Sequence, residues 1–455
     1  MRKLWILAAL AIFLSGSVAY AEWEPNDPLL AARAAADHEL FGKIVRDEGT
    51  PEFDVHHNLI WEDATLMSGV FRLVDRLEEK GGAAGRYVDY LSAWGSRHPG
   101  VFPVPIVHGD LVCAGETYMW LYERSGKTSN HLRRTNGMVD FIYYSRKPAQ
   151  WGTGHNDYWM RFWNDDIHMV PPFLAFRGRA VGDKGMKGGK DGRTVAMDYC
   201  RAYADVLRDP ETGLFWHDRG SIGDYMWGRG NGWAAAGYTK VLDVIKDVPG
   251  YEDDAEWLRE RLVEMAETLK LNRNTYGTWN ADVLNRVDYV VPETSGSNFF
   301  TYMMAYLINE GTLDEEYIPI VKKAWRFLTL SLRDDGGLMH VQPVGRGPVK
   351  KDFQEHSESY GVGGFLMTAV EMHKLYEKVG DDGDGVGYVK VMPEDFEQTG
   401  EGVVVSAEAL GKFSGDVKAV ASGQRLPETT FWEDGILVTG LPPGYDGPLY
   451  VFYGD

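Results

Sequence analysis

The sequence predicts an all-α fold in which twelve helices close into a ring of six hairpins, an (α/α)6 toroid, followed by a small β-rich region. Three observations predict it: a helix-opening pattern that recurs six times, an amphipathic helix between successive copies, and alternating apolar residues after about residue 380. The length of 455 residues and the 44% hydrophobic content are typical of a globular protein with a large core.

Residues 1–21 predict a secretory signal rather than a part of the fold. Two basic residues precede an apolar run from Leu4 to Leu14, and Ala19-Tyr20-Ala21 has the small-x-small form of a cleavage site. The run is too short to span a bilayer, and no later apolar run reaches that length. We therefore expect an exported protein, secreted or periplasmic, without a membrane span.

The recurring pattern marks the inner helices of the ring. Each copy begins with a charged residue and continues into a segment rich in glycine, alanine and aromatic residues, at intervals of about 50 to 65 residues. The opening residues are Glu62, Asp110, Asp165, Arg229, Glu293 and Glu358. Because small residues destabilise an exposed helix, we expect these helices to be packed on both sides.

Amphipathic segments with charged faces lie between the copies and predict the outer helices. Clear examples are Arg193–Arg208, Asp254–Lys270 and Leu313–Leu332. If inner and outer helices alternate around a closed ring, all inner helices begin at the same rim. An open helical solenoid is the alternative, although such arrays usually consist of nearly identical copies with capping repeats.

The character of the chain changes after Leu375. Residues 380–385 form a Gly- and Asp-rich run that predicts a flexible linker, and this run lacks the closing Glu of a calcium-binding loop. Short alternating segments follow, among them 388–391, 417–421 and 449–453, and they predict strands. We therefore expect the helical domain over residues 22–379 and a linker with a small β-rich region over residues 380–455.

Composition and motifs exclude several classes of protein. The chain has 47 Lys and Arg against 67 Asp and Glu, a net charge of −20, which argues against a nucleic-acid partner. Cys113 and Cys200 lie in helical segments, where we expect buried free thiols, a disulfide being the alternative. No zinc motif, H-E-x-x-H motif or mature G-x-S-x-G elbow occurs, so neither a metal site nor a serine hydrolase is indicated.

Asp165 and Asp110 are the candidate acid–base residues. Both open predicted inner helices, so both belong at the shared rim, although simple helix capping also explains an aspartate at such a position. Asp165 follows Trp163, and an indole beside a carboxyl group suits that group to donate a proton. His155 and His217 are candidate ligand contacts, but a single histidine is more often structural.

The run Trp227-Gly-Arg229-Gly-Asn-Gly-Trp233 predicts a sugar-binding surface. Sugars stack their C–H faces on indole rings, and a guanidinium binds a carboxylate through two hydrogen bonds. The glycines would let a ligand approach the backbone closely. The alternative is that the tryptophans and Arg229 stack on one another in the core.

At these residues the chain resembles the unsaturated glucuronyl and rhamnogalacturonyl hydrolases, glycoside hydrolase families 88 and 105, with family 105 the closer. Trp163-Asn-Asp165 followed by Met169-Val-Pro-Pro-Phe173 resembles one signature of these families, and Trp227 to Trp233 resembles a second. The resemblance extends over about residues 29–375. One departure is the His155-Asn156 pair, where relatives often have His-Lys.

The resemblance implies an (α/α)6 barrel that acts on oligosaccharides ending in a 4,5-unsaturated uronic acid, without a metal or organic cofactor. Asp165 would protonate C4 of the enol ether, water would add at C5, and Asp110 would orient substrate and water. Trp163, Trp227 and Trp233 would line the sugar site, and His155, His217 and Arg229 would contact its polar groups. The parent polysaccharide and the oligomeric state stay open.

Three other functions remain compatible with the residues. An inverting glycosidase would use Asp165 as acid and Asp110 as base, with a water between the two carboxyl groups. A noncatalytic glycan-binding protein would use the 15 Trp and 24 Tyr without turnover. A polysaccharide lyase would create the double bond that the first function consumes.

Overall fold

The inner layer of the protein is a closed ring of helices. The structure, a computed structural model, describes residues 27–42, 57–97, 109–127, 129–145, 162–380, 387–411, 416–432, 435–443 and 445–454. The predicted signal sequence lies outside the described residues. In chain order the inner helices are α2 (Trp61–Glu79), α4 (Ala114–Arg124), α6 (Asp166–Met169) with α7 (Pro171–Val181), α9 (Gly228–Ile245), α11 (Thr294–Glu310) and α13 (Ser359–Val379).

Each inner helix contacts the next, and the last contacts the first. Helix α2 packs on α4, α4 on α7, α7 on α9, α9 on α11, and α11 on α13, which returns to pack on α2. This closure confirms the predicted six-hairpin toroid and excludes an open solenoid, in which the terminal repeats do not meet.

The outer layer consists of the amphipathic helices expected between the inner ones. They are α1 (Pro28–Asp37), α3 (Gly85–Arg97), α5 (Ser129–Ser145), α8 (Gly192–Leu207), α10 (Glu252–Leu271) and α12 (Ile318–Leu330). Helix α12 begins later than the expected Leu313 because Glu315–Tyr317 forms a 3-10 turn and a proline occupies its first turn.

Glycines in the inner helices allow the helices to approach closely. A Cβ on Gly232 of α9 would lie 3.1 Å from the Cα of Gly296 on α11, and a Cβ on Gly363 of α13 would collide with the carbonyl of Thr65 on α2. Both contacts join neighbouring members of the ring. The glycine content therefore reflects packing on both sides, as the composition of these segments predicts.

The third inner helix is interrupted between α6 and α7. Pro171 and Pro172 occupy the first turn of α7, and Val170 before them has φ −108° and ψ −57°. A proline removes a backbone donor and disfavours helical geometry in the residue before it, which accounts for the break. The short helix α6 thereby forms a separate turn at the rim, with Asp165 at its N-terminus.

A buried charged cluster lies within the ring. Glu116 Oε2 accepts from Lys240 of α9 and from Ser68 of α2, both at 2.9 Å, and Glu116 Oε1 accepts from Arg72 of α2 at 2.6 Å. Burial opposes ionisation of Glu116, but the Arg72 and Lys240 cations hold its pKa well below the usual range. Burial lowers the pKa of Lys240 to about 8. This cluster links three inner helices.

The two cysteines are buried free thiols, as expected. Within the described ranges no helix is both long and apolar enough to cross a bilayer.

After α13 the chain forms two small antiparallel sheets. The strands are β1 (Tyr388–Val391), β2 (Phe396–Gln398), β3 (Val403–Ser406), β4 (Val417–Ala421), β5 (Glu428–Trp432), β6 (Gly435–Thr439) and β7 (Leu449–Tyr453). One sheet has the order β1-β7-β4 and the other β2-β3-β6-β5, and the short helix α14 (Ala407–Leu410) lies between β3 and β4. Strands β2 and β5 were not among those expected, since they are short, exposed and rich in polar residues.

The β-rich region packs against the outer surface of the ring. Tyr276 and Phe327 form one apolar cluster with Tyr450 and Phe452 of β7 and its neighbours. Lys323 of α12 donates to the backbone carbonyl of Tyr453 at 2.7 Å. The region is therefore joined to the helical domain by both apolar and polar contacts.

Candidate active site

Asp165 lies at the rim with its carboxyl group uncommitted to the helix that it precedes. It occupies the N-cap position of α6, but its side chain accepts no hydrogen bond from the backbone of that helix. The side chain is 19% exposed, and Trp163 two residues earlier is half-buried. Simple capping, the alternative for this aspartate, is therefore not what its carboxyl group does.

His217 holds the carboxyl group of Asp165 from the side. Its Nε2 lies 3.2 Å from Asp165 Oδ2, and its Nδ1 lies 3.7 Å from Asp218 Oδ2. The imidazole is stacked on Trp163 with an interplanar angle of 12°, and Trp227 meets it edge-on at 5.0 Å. A ring held by two indoles in this way orients the neighbouring carboxyl group and can exchange a proton with it.

Asp166 is adjacent in sequence and has a different environment. It is 2% exposed, and Tyr203 donates to its Oδ2 at 2.6 Å. A side chain at Gly109 would collide with its carboxylate, so the segment before α4 lies directly against α6. The geometry thus makes Asp165 the accessible carboxyl group and Asp166 a packing residue.

Asp110 lies near this site in the 3-10 turn Gly109–Leu111 that leads to α4. Its negative charge acts on Glu62, the residue that opens α2. Burial of Glu62, together with the charges of Asp110, Asp63 and Glu358, raises the pKa of Glu62 to about 7. Carboxyl groups from three inner-helix starts, those of α2, α4 and α13, therefore lie close enough to influence one another.

The run from Trp227 to Trp233 lies beneath the surface. Trp227 is 1% exposed and donates from its Nε1 to Gln342 Oε1 at 3.3 Å. Arg229 is also 1% exposed, and its Nη1 donates to the carbonyls of Gln342 at 2.7 Å and Pro343 at 3.0 Å. The guanidinium thus anchors the loop that precedes α13.

Trp233 contacts the rim only through other aromatic rings. It is fully buried, meets Trp61 edge-on at 5.6 Å and lies 4.7 Å from both His168 and Phe299. Direct contact of Trp227, Arg229 and Trp233 with a sugar has no support from this geometry and stays a prediction. Gly228 of the run allows close approach of the neighbouring backbone and not of a ligand, since a Cβ at this position would lie 2.7 Å from the Asn280 carbonyl.

His155 lies outside the described residues. Sequence reasoning missed Asp218, which faces the second nitrogen of His217, as well as Glu62 and Arg346. Glu62 had a signal, because it opens the first inner helix in the same way as Asp110 and Asp165 open theirs. Arg346 had only its position between two glycines, which predicts a loop and no more.

Comparison with known proteins tests the resemblance to a known family. The profile of Glycosyl Hydrolase Family 88 matches residues 39–376. The chain is similar to an unsaturated 3S-rhamnoglycuronyl hydrolase of Alteromonas sp. (strain LOR), with 30% identity over 290 residues, which are 58% of this chain and 66% of that relative.

Solved structures show the same fold. A polysaccharide lyase matches with a TM-score of 0.64 and 22% identity, covering 79% of this chain and 99% of the other. An unsaturated glucuronyl hydrolase from Bacillus sp. GL1 matches with a TM-score of 0.54 and 16% identity, covering 78% and 96%. The family profile spans well over half of the sequence and confirms the predicted resemblance: the chain belongs to glycosyl hydrolase family 88.

Proposed function

We propose that this protein removes a 4,5-unsaturated uronic acid from the non-reducing end of oligosaccharides, with Asp165 as the proton donor. The observation that carries the proposal is the accessible carboxyl group of Asp165, held 3.2 Å from the stacked imidazole of His217. Of the three predicted sugar-site tryptophans, Trp163 is half-buried and can meet a sugar ring, whereas Trp227 and Trp233 are buried. Membership of the family favours this substrate class.

The reaction is a hydration of a vinyl ether followed by collapse of the product. Asp165 donates its proton to C4, and the oxygen of a water molecule forms a bond to C5 and loses a proton. The C5 hemiketal then opens to a ketone at C5, and its ring oxygen becomes a hydroxyl group on C1. The resulting C1 hemiacetal collapses to an aldehyde: its hydroxyl group loses a proton, the C1–O bond to the remaining sugar breaks, and the leaving oxygen takes up a proton to give an alcohol. The overall reaction consumes one water, and His217 can return a proton to Asp165 between cycles.

Asp110 and Glu62 would position the water molecule that adds at C5. Glu62 lies in the first turn of α2 and Asp110 lies in the 3-10 turn before α4, and burial together with the charge of Asp110 raises the pKa of Glu62 to about 7, so that Glu62 can bind or release a proton near neutral pH. A carboxylate that accepts a proton while its neighbour keeps one can orient a water for addition at C5 and accept the proton that the water loses.

The test is incubation with lyase-digested ulvan and lyase-digested rhamnogalacturonan. We expect loss of the ultraviolet absorbance of the C4=C5 bond and release of a shortened sugar, with a mass balance of one added water. Cleavage with the absorbance retained would indicate an inverting glycosidase, and a rise in absorbance on the undigested polymer would indicate a lyase. Binding without any of these changes would indicate a noncatalytic glycan-binding protein.

We also propose that the protein is exported through the signal at residues 1–21. Expression with its own N-terminus in a bacterial host, followed by fractionation, tests this. Recovery of a chain that begins at Glu22 outside the cytoplasm is expected, whereas an uncleaved cytoplasmic chain would contradict it.

A further inference from the structure

A rigid loop, residues 342–349, covers the start of α9 beside the candidate site. Arg229 holds its first carbonyls, and the side chain of Gln342 holds its two ends together. The Gln342 Nε2 donates to the Gly347 carbonyl at 3.0 Å, and the Val349 backbone N–H donates to Gln342 Oε1 at 3.3 Å. Hydrogen bonds from Arg229 and to the side chain of Gln342 therefore restrain the backbone of this loop.

The tip of the loop presents an arginine to the site. Tyr225 donates from its hydroxyl to the Arg346 carbonyl at 3.0 Å, which fixes the backbone at that point. The Arg346 side chain is exposed, and its Cζ lies 5.8 Å from the ring centroid of Trp163. Trp163 in turn stacks on His217, the partner of Asp165. A fixed backbone thus carries a mobile cation next to the indole and the proton donor.

The guanidinium of Arg346 has no ion-pair partner in the part of the chain that the structure describes. Lys350, the residue directly after the loop, is different because its Nζ lies 3.0 Å from Asp288. Carboxyl groups dominate the rest of the site, and the protein has a net charge of −20. An anionic sugar therefore needs a local cation, and Arg346 is exposed whereas Arg229 is 1% exposed and directs its Nη1 to carbonyls of the loop.

We infer that Arg346 binds an anionic oxygen group of the oligosaccharide whose sugar ring covers Trp163, and so determines the preference for charged sugars. The inference rests on the proposed function. The planar guanidinium matches either the carboxylate of the unsaturated uronate or a sulfate ester on the sugar. Trp163 orients both partners, since its face attracts the cation and accepts the sugar.

The experiment compares three variants of the full chain: Arg346→Gln, Arg346→Lys and Lys350→Gln. The last is the matched control, because it removes the same charge four residues further along the chain, at a position paired with Asp288. The probe is the unsaturated disaccharide from lyase-digested ulvan, used with and without its sulfate ester and as its methyl ester. Initial rates give kcat and KM, and calorimetry gives the dissociation constant.

We expect Arg346→Gln to raise KM and the dissociation constant about 10- to 100-fold with little change in kcat, Arg346→Lys to recover part of the loss, and Lys350→Gln to resemble the wild type. If the methyl ester abolishes the difference between Arg346→Gln and wild type, the carboxylate is the group bound. If removal of the sulfate abolishes that difference, the sulfate is the group that Arg346 binds.

Equal values for Arg346→Gln and Lys350→Gln would overturn the inference while wild-type turnover still supported the proposed function. Absence of wild-type turnover would overturn the proposed function, and the calorimetric comparison would still report on Arg346. Arg219 is the other exposed cation nearby, with its Cζ 4.5 Å from the Phe162 ring centroid. A large effect of Arg219→Gln combined with none for Arg346→Gln would also overturn the inference.

Discussion

The two halves of the rim begin from the same sequence pattern and differ in how their charged groups are used. In the first half, Glu62 and Asp165 open α2 and α6, whereas Asp110 lies in the 3-10 turn before α4 and not at its first residue as predicted; these carboxyl groups lie near one another or near His217. In the second half, Arg229 and Glu293 open α9 and α11, and both are 1% exposed. The first half can meet a ligand, whereas Arg229 and Glu293 support the chain around it.

The second half is covered by the loop over residues 342–349. Glu293 accepts from the backbone N–H groups of Ser295 at 2.8 Å and Gly296 at 2.6 Å, and also from that of Gln342 at 3.1 Å. Arg229 donates to the carbonyls at the start of the same loop. A charged residue at an inner-helix start is therefore open to a ligand or buried in a structural role according to the loop that lies over it, which its own sequence does not specify.

The largest expected effect comes from Asp165→Asn in the first half. Loss of the proton donor should lower kcat by about 10²- to 10⁴-fold, since general acid catalysis contributes that much. Stability should change by no more than about 0.5 kcal/mol, because the side chain caps no helix. Initial rates and thermal unfolding measure both.

Asp166→Asn is the matched control for Asp165→Asn. The amide oxygen of the new side chain can still accept from Tyr203, so turnover should persist. If Asp166→Asn abolished turnover and Asp165→Asn did not, the proton donor would be residue 166.

Arg229→Met should have the largest effect on stability in the second half. It removes the donor to the Pro343 carbonyl and one of the two donors to the Gln342 carbonyl, which also accepts from the Tyr360 hydroxyl, and this should lower the free energy of unfolding by about 1–3 kcal/mol. Urea denaturation measures this, with Arg346→Gln on the exposed tip as a control that should be close to wild type. Normal stability of Arg229→Met combined with a strongly raised KM would contradict the structural role of Arg229 and would support its contact with the sugar.

Trp163→Phe and Trp227→Phe compare the two halves directly. Trp163→Phe should raise KM by the equivalent of about 1 kcal/mol of stacking, with little loss of stability. Trp227→Phe removes the donor to Gln342 Oε1 and should lower stability by about 1–2 kcal/mol, with a smaller change in KM. KM and the free energy of unfolding are measured for both variants. Equal changes in the two variants would contradict the distinction between a sugar-binding Trp163 and a structural Trp227.

The sequence was sufficient for the ring, because alternating helices with glycine-rich inner faces leave few other ways to bury their surfaces. It also placed Asp165 and His217 in one site, since both lie at the same rim of that ring. It did not distinguish Trp163 from Trp227, because whether an indole is covered depends on a loop more than 100 residues further along the chain. The contact between Trp227 and Gln342 has no local signal in either segment.

The smallest effect expected is a change in pH dependence at Glu62. Its folded pKa of about 7 exceeds the value of 4.5 for an unperturbed glutamate, so the folded state holds the proton more tightly between these values. Its contribution to stability is therefore complete below pH 4.5 and is lost as the pH rises towards 7. Because the side chain is half-buried and solvent screens part of the effect, we expect about 1 kcal/mol.

Glu62→Gln should remove this decline, so that the variant gains stability relative to wild type as the pH rises from 5 to 8, by about 1 kcal/mol. Glu293→Gln, at the corresponding position in the second half, should destabilise the protein throughout this range, since an amide replaces an acceptor of several hydrogen bonds. Unfolding curves at several pH values measure both. Parallel curves for Glu62→Gln and wild type would mean that the carboxyl group of Glu62 is solvated and separate from Asp110, and the first half of the rim would then lose its coupled acid pair.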